Sequence, residues 1–172
     1  MKDKNIYVKR PEEIADYIEN FKCQPQVYQA VEGAKRTISQ GEGNSPSIAV
    51  VGAYMLDSIG HSPKVMSFVT SNGRGVKVVK MVSTPVYENG DFYASGVATP
   101  EGTVGKNEKA SCLEELAAGL HKKLEGQGYV PKHVTIANLN NYNDVVDWRN
   151  NEASPLLPRL PMAEPIDYTK YL

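Results

Sequence analysis

The sequence predicts an α+β fold in which a small antiparallel sheet of three to four strands is packed on one face by helices. Three runs rich in β-branched and aromatic residues follow one another at residues 65–70, 76–82 and 92–97. The turn-forming pairs Asn72-Gly73 and Asn89-Gly90 separate them. Links this short leave no room for a parallel crossover, so we expect the strands to pair antiparallel in chain order.

Two helices are expected ahead of the sheet. Residues 11–21 begin with Pro11, which suits a first helical position, and their apolar residues recur at helical spacing. Residues 26–39 show the same spacing, and Gly41 follows them as a stop. The apolar stripe of each helix indicates one buried face.

Residues 46–60 allow two interpretations. Ser45 before Pro46 is typical of a helix cap with proline at the first position, and apolar residues recur at helical spacing as far as Ile59. The apolar run 48–51 fits a buried strand as well. Because the pattern extends beyond strand length, it favours a helix.

A further helix and a short strand are expected after the three strands. Leucine and alanine recur at helical spacing through residues 107–124, and Gly126 ends the pattern. Residues 134–137 form a short candidate strand. The lysines Lys106 and Lys109 lie in the first turn of this predicted helix.

From residue 138 onward the composition shifts to asparagines and then to prolines interleaved with leucines, which predicts an extended C-terminal tail (138–172). An N-terminal helical extension (1–45) and an α+β core domain (46–137) make up the rest. The tail carries too many apolar residues for a solvated linker, so we expect it to dock on its own domain or on a partner. The expected docking residues are Leu156, Leu157, Leu160, Ile166 and Tyr171.

The composition is that of an ordinary globular chain. Its 172 residues carry a formal net charge of −1, so any anion or nucleic-acid site must come from local clustering of basic residues. We expect neither a transmembrane helix nor a signal peptide, because apolar runs of the needed length are missing. Cys23 and Cys112 lack paired spacing and indicate reduced thiols. A cytoplasmic or virion-associated location is expected, not a secreted one.

Two motifs suggest ligand binding or catalysis, and both are incomplete. The loop 102–107 could hold phosphate, but Pro100 and Asn107 stand where a nucleoside-triphosphate loop needs glycine and a hydroxyl residue. His133-Val-Thr135 matches one half of the two-histidine phosphoesterase pattern, whose chemistry needs two facing histidines. An enzyme hypothesis therefore rests on His133. The histidines and cysteines lack metal-ligand spacing, so no metal and no cofactor are expected.

Basic residues are slightly enriched in the middle of the chain. Between residues 60 and 135 there are nine lysines and arginines against seven acids. A face carrying them could follow a phosphate backbone, although a solvated charged surface explains them as well. The candidate phosphate-binding residues are Lys64, Arg74, Lys77, Lys80, Lys106 and Lys109.

The order helix, three antiparallel strands and helix over residues 46–124 resembles the double-stranded-RNA-binding domain. Residues 106–120, Lys-Asn-Glu-Lys-Ala-Ser-Cys-Leu-Glu-Glu-Leu-Ala-Ala-Gly-Leu, look like the closing helix of that family, with a lysine pair ahead of an alanine-rich apolar face. The resemblance implies that Lys106 and Lys109 hold phosphates across a groove of duplex RNA, which such domains read mostly by shape.

Three functions follow from the sequence. The leading one is a non-enzymatic module that binds structured nucleic acid, such as duplex RNA, through a basic helix-and-sheet face. The alternative is a structural or assembly protein of a large complex, such as a viral particle, which would form oligomers or bind a protein through its tail. An enzyme built around His133 is the third.

Overall fold

The computed structural model describes residues 8–25, 31, 33–72, 80–138 and 164–172. The helices are α1 (Glu13–Glu19), α2 (Ala34–Gln40), α3 (Ser45–Ser58) and α4 (Leu113–Gly126). The strands are β1 (Lys22–Cys23), β2 (Glu42–Gly43), β3 (Lys64–Asn72), β4 (Lys80–Asn89), β5 (Asp91–Ala94), β6 (Val97–Thr99), β7 (Gly102–Val104), β8 (Glu108–Ala110), β9 (Tyr129–Asn138) and β10 (Glu164–Pro165). The protein is therefore a mixed α+β fold, as predicted.

The main sheet is antiparallel throughout. In the described part of the chain its order is β10-β9-β3-β4-β5-β8, so β3, β4 and β5 are neighbours in chain order, as expected. The predicted 92–97 strand is too long, because β5 ends at Ala94 and Val97 belongs to β6, which pairs with β7 in a separate sheet. The sheet has six strands instead of three or four, because β8, β9 and β10 add to its edges. Sequence analysis found only residues 134–137 of β9, and residues 73–79 of the predicted second strand lie outside the described residues.

Helices cover both faces of this sheet, so the expected one-face arrangement is wrong. Side chains alternate between faces along a strand. On β3, Val65 belongs to a first core that includes residues of α1, α2 and α3, whereas Met66 and Phe68 belong to a second core that includes residues of α4. The central strands carry hydrophobic residues on both faces, so helices can pack on both faces of the sheet. The alternation pattern in the sequence did not predict this two-sided packing.

Helix α3 confirms the helical interpretation of residues 46–60. It begins after Asn44, whose side-chain oxygen accepts a hydrogen bond from the Ser47 amide at 2.9 Å, and Pro46 occupies its first turn. The cap is thus Asn44 and not Ser45. The Ser45 hydroxyl instead joins β4, where it accepts from the Ser83 amide at 2.8 Å. These bonds fix the start of α3 against the middle of the sheet.

The other helices are shorter than their patterns indicated. α1 starts two residues after Pro11, and α2 covers only the second half of the predicted 26–39 helix, of which residues 26–30 lie outside the described part. The 107–124 helix was placed too early, because α4 begins at Leu113 and residues 108–110 form β8. Gly105 and Asn107 adopt φ angles of 69° and 55°, which turn the chain back alongside β5.

The end of the chain returns to the sheet. β10 pairs with β9 at Thr135 and Ile136, and the C-terminal segment (residues 164–172) then crosses α4. An extended path is wrong for Thr169–Tyr171, which form a 3₁₀ turn. Asp167 lies just before this turn, and its carboxylate accepts hydrogen bonds from both the amide and the hydroxyl of Thr169.

In the described ranges, no helix is both long enough and apolar enough to cross a membrane.

Candidate functional site

Lys106, the central residue of the predicted phosphate face, is engaged by α1. Its Nζ lies 2.8 Å from Asp16 Oδ1 and 2.6 Å from Glu19 Oε2. Asn107 donates from its side chain to the Glu12 carbonyl at 3.3 Å. The hydrogen bonds from Lys106 to Asp16 and then Glu19 raise the pKa of the lysine. Two carboxylates thus contact the Lys106 ammonium group, which the sequence analysis predicted to bind phosphate.

The remaining predicted lysines do not gather around Lys106. Lys109 lies on β8, is 59% exposed and has its Nζ 3.9 Å from Asp91 Oδ2. Lys64 begins β3 and lines a cavity formed with the loop after α3 and with β4 and β5. Arg74, Lys77 and the side chain of Lys80 lie outside the described residues. The described candidate lysines Lys64, Lys106 and Lys109 therefore lie on separate elements, and each of Lys106 and Lys109 has an acidic partner.

Of the expected docking residues, the structure describes two, and both pack internally. Ile166 and Tyr171 are partly buried against the second core, and the Tyr171 hydroxyl lies 3.5 Å from Cys112 Sγ. The Ile166 amide also donates to the Val134 carbonyl at 2.9 Å. Leu156, Leu157 and Leu160 lie outside the described residues. This docking on the same chain creates a groove that the sequence did not indicate.

The groove lies between the outer edge of β9 and the C-terminal segment, and we call it the β9 groove. Its volume is about 530 Å³. The polar residues that line it come from α4, β9 and the C-terminal segment: His121, Lys132, His133, Thr135, Asp167 and Thr169. It exists because β10 covers only two residues of β9 before the chain turns away over α4.

His121 holds the C-terminal segment in place on one side of the β9 groove. Its Nδ1 lies 2.6 Å from the hydroxyl of the buried Tyr168, and its Nε2 lies 3.5 Å from Glu125 Oε1. A carboxylate at Nε2 favours a proton there, so Nδ1 accepts and Tyr168 donates. Burial, and then the charge of Glu125, raise the pKa of the Tyr168 phenol, which keeps this donor protonated. The three residues form a latch.

Lys132 and His133 stand at the other side of the groove without such engagement. The register between β3 and β9 shifts here, because Val69 faces His133 while Thr70 faces Pro131. Lys132 is therefore the extra residue of a bulge, and both side chains are exposed. Within the described part of the chain, neither side chain forms an ion pair or a ring contact. They are available to a ligand.

One carboxylate, that of Asp167, lines the same groove. Its Oδ1 accepts from the Thr169 hydroxyl at 2.7 Å and from the Thr169 amide at 3.1 Å. These hydrogen bonds, the one from the side chain first, lower the pKa of Asp167. The groove thus combines one lysine, two imidazoles and the Asp167 carboxylate, one oxygen of which already accepts two hydrogen bonds from Thr169.

Sequence analysis found His133 and Thr135 through the phosphoesterase half-motif but missed His121, Lys132 and Tyr168. The structure brings His121 and His133 to one groove, although His121 Nδ1 is occupied by the latch. The spacing of His121 and Glu125, four residues apart on a helix, was the one local signal of the latch. Nothing in the sequence near Tyr168 indicates that it reaches α4. The described residues contain no group of three potential metal ligands.

A scan of known protein families finds no match to this chain, and a search of curated proteins finds no relative.

Proposed function

We propose that the protein is a non-enzymatic nucleic-acid-binding module and that its contact surface is the β9 groove, in place of the Lys106 face. The observation that supports this is the pair Lys132 and His133, adjacent, exposed and unengaged at the groove. Lys106 is a weaker candidate, because a phosphate would have to displace Asp16 and Glu19.

The chemistry of the groove suits a phosphodiester. A lysine supplies a full positive charge, and an imidazole supplies one or two N–H donors according to its protonation. Thr135 adds a hydroxyl group from the β9 side of the groove, and Thr169 adds one from the side of the C-terminal segment. A cavity of about 530 Å³ is of the size that holds small ligands, which suits one nucleotide unit with its base. The carboxylate of Asp167 would repel a second phosphate close to Thr169. We therefore expect the nucleic-acid strand to enter the groove from the Lys132 side.

The experiment is a fluorescence anisotropy titration of the full chain with labelled duplex RNA, single-stranded RNA and duplex DNA over a range of salt concentrations. We expect an affinity that falls as salt rises. Lys132→Ala should weaken binding to all sequences alike and reduce the salt slope by about one unit. His133→Ala should weaken binding further in the double variant.

Two matched variants separate the groove from the rest of the surface. Lys35→Ala removes an exposed lysine from α2, and Lys106→Ala removes the lysine bound by α1. Both should bind like the unaltered protein. A Lys106→Ala variant that loses affinity while Lys132→Ala does not would return the site to the predicted face. An unaltered protein without any salt-dependent affinity for nucleic acid would overturn the function itself.

Assembly through residues 139–163 is a second proposal, and one observation favours it. β9 ends at Asn138, and β10 starts at Glu164, which pairs with Ile136 of β9, so the residues on either side of 139–163 belong to paired strands. The segment includes Leu156, Leu157 and Leu160. If it binds a second copy of the chain, replacing these three leucines with serine should lower the mass measured by sedimentation. An unchanged mass would remove this proposal.

A further inference from the structure

A second cavity lies at the start of β3, where the chain leaves α3. Its volume is about 320 Å³, and it is lined by the loop after α3 together with β3, β4 and β5. The residues that matter here are His61, Lys64, Val86, Tyr87, Glu88 and Phe92. We call it the strand-end cavity. It is separate from the β9 groove, with which it shares no lining residue.

The strand-end cavity carries two opposite charges that do not pair with each other. Lys64 on β3 lies opposite Val86 on β4, and Glu88 follows two residues later on the same face. The backbones of such diagonal neighbours on two antiparallel strands lie about 7–8 Å apart. Both side chains line the cavity, yet no ion pair joins them or engages either one within the described ranges. The gap between them is open to a ligand.

The wall between these charges is apolar and aromatic. Phe92 on β5 lies directly opposite Glu88, and Val86 is buried beneath the cavity. Tyr87, between Val86 and Glu88 on β4, points to the other face of the sheet, where its ring is stacked on Tyr93 at 5.2 Å between centroids and lies 5.4 Å from His61. These contacts hold β4 in place behind the cavity wall. An apolar side chain of a ligand would therefore find a preformed surface.

We propose that the strand-end cavity binds a free α-amino acid with an apolar or aromatic side chain. The carboxylate of such a ligand would pair with Lys64 and its ammonium group with Glu88, while its side chain packs on Phe92. A ligand with one charge would pair with only one of these two side chains, whereas a free amino acid pairs with both. The cavity volume is near the lower end of the range for small-molecule sites and matches one amino acid.

The test is isothermal titration of the full chain with L-phenylalanine, L-leucine and L-methionine, followed by amide NMR shifts to locate the site. N-acetyl-L-phenylalanine and L-phenylalaninamide lack the ammonium and the carboxylate group, respectively. We expect each of them to bind at least tenfold more weakly than L-phenylalanine. Shifts should concentrate at residues 60–64, 86–88 and 92.

Variants then assign the two charges. Lys64→Met and Glu88→Gln should each reduce the affinity for L-phenylalanine at least tenfold, and the exchange Lys64→Glu with Glu88→Lys should recover part of it. Lys122→Met, on the exposed side of α4, is the matched control and should bind normally. A melting curve for each variant identifies any that fail to fold. The proposal is overturned if none of the three amino acids binds, or if the acetylated and amidated forms bind as well as the parent.

Discussion

Helices α3 and α4 have the same length, fourteen residues, and cover opposite faces of one sheet, yet they are buried to very different extents. Eleven residues of α3 are buried, because α1 and α2 cover the side that faces away from β4. Five residues of α4 are buried, and its polar side faces water. α3 is therefore a central element with neighbours all round, whereas α4 is a cover with one free flank. A substitution at the middle of each helix should have correspondingly different consequences.

The largest expected effect compares the glycines in the middle of the two helices. A Cβ at Gly52 of α3 would lie 2.3 Å from Cγ of Pro85, a stiff ring on β4. Gly52→Ala should destabilise the protein by about 3 kcal/mol, because the helix must move away from the sheet. A Cβ at Gly119 of α4 would meet only the carboxylate end of Glu108, at 3.1 Å. Gly119→Ala should stabilise by up to about 1 kcal/mol through helix propensity.

Urea unfolding of both variants measures this difference. The comparison fails if Gly52→Ala is tolerated as well as Gly119→Ala, since α3 would then have room to shift. Pro85→Ala in the Gly52→Ala background is the matched rescue, because it removes the ring atom that the new methyl group meets. Recovery of part of the lost free energy of unfolding would identify that contact as the cause.

The next effect concerns the C-terminal segment, which covers part of α4, whereas α3 is covered by α1 and α2. Tyr168 is buried in the second core, and its hydroxyl lies 2.6 Å from His121 Nδ1. Tyr168→Ala should cost about 2 kcal/mol for the lost apolar burial. Tyr168→Phe keeps the ring and should cost about 1 kcal/mol, because His121 loses its hydrogen bond.

Amide hydrogen exchange locates the effect of the Tyr168 variants. Protection should fall in α4 and β9, and α3 should be unaffected, since the two lie on opposite faces. Equal loss of protection in α3 would mean that the two cores unfold as one unit. In that case the division of the molecule into two independently responding faces would be wrong.

The smallest effect depends on pH and on how each helix begins. α3 begins with the neutral Asn44, whereas Glu115 in the first turn of α4 accepts hydrogen bonds from the Ser111 hydroxyl at 2.7 Å and the Ser111 amide at 3.2 Å. These bonds lower the pKa of Glu115 from its ordinary 4.5. Their contribution is therefore present above pH 4.5 and is lost as the pH falls through the lowered pKa in the folded state.

NMR titration of the Glu115 carboxyl group tests this difference. Ser111→Ala removes the hydroxyl donor, so the pKa of Glu115 should rise toward 4.5. Ser47→Ala, in the first turn of α3, is the control and should leave the pKa of Glu115 unchanged. A Glu115 pKa that does not move in Ser111→Ala would show that the hydroxyl contributes nothing to the start of α4.

The contrast between α3 and α4 also explains what the sequence could predict. The amphipathic stripe of α4 was clear because one side of the helix meets water. α3 has apolar residues on every side, so its run 48–51 also fitted a buried strand. The Ser45-Pro46 start, the helical spacing as far as Ile59 and the length of the pattern favoured a helix. The start of α4 was misplaced because residues 108–110 continue its composition. Their strand depends on the positive φ angles of Gly105 and Asn107, which pattern reasoning did not weigh.

The candidate sites were less predictable, for a physical reason. Lys106 was assigned to phosphate because local sequence cannot show that Asp16, ninety residues earlier, lies against it. The β9 groove and its latch depend on contact between α4 and the chain end, which is again a long-range property. Single residues such as His133 were noticed through their local motif. Which residues share a cavity was decided by the antiparallel pairing of distant strands.

The two edges of the main sheet have a consequence for behaviour at high concentration. β8 is three residues long and β10 two, and β10 ends in Pro165, which has no amide hydrogen to offer. Beyond β10, the outer side of β9 contains Pro131 and the bulge at Lys132, with a charged side chain at its edge. Long rows of free amides recruit further chains and start fibrous aggregation. In the described sheet both edges are interrupted, so crowded solutions of folded protein should resist strand-to-strand stacking.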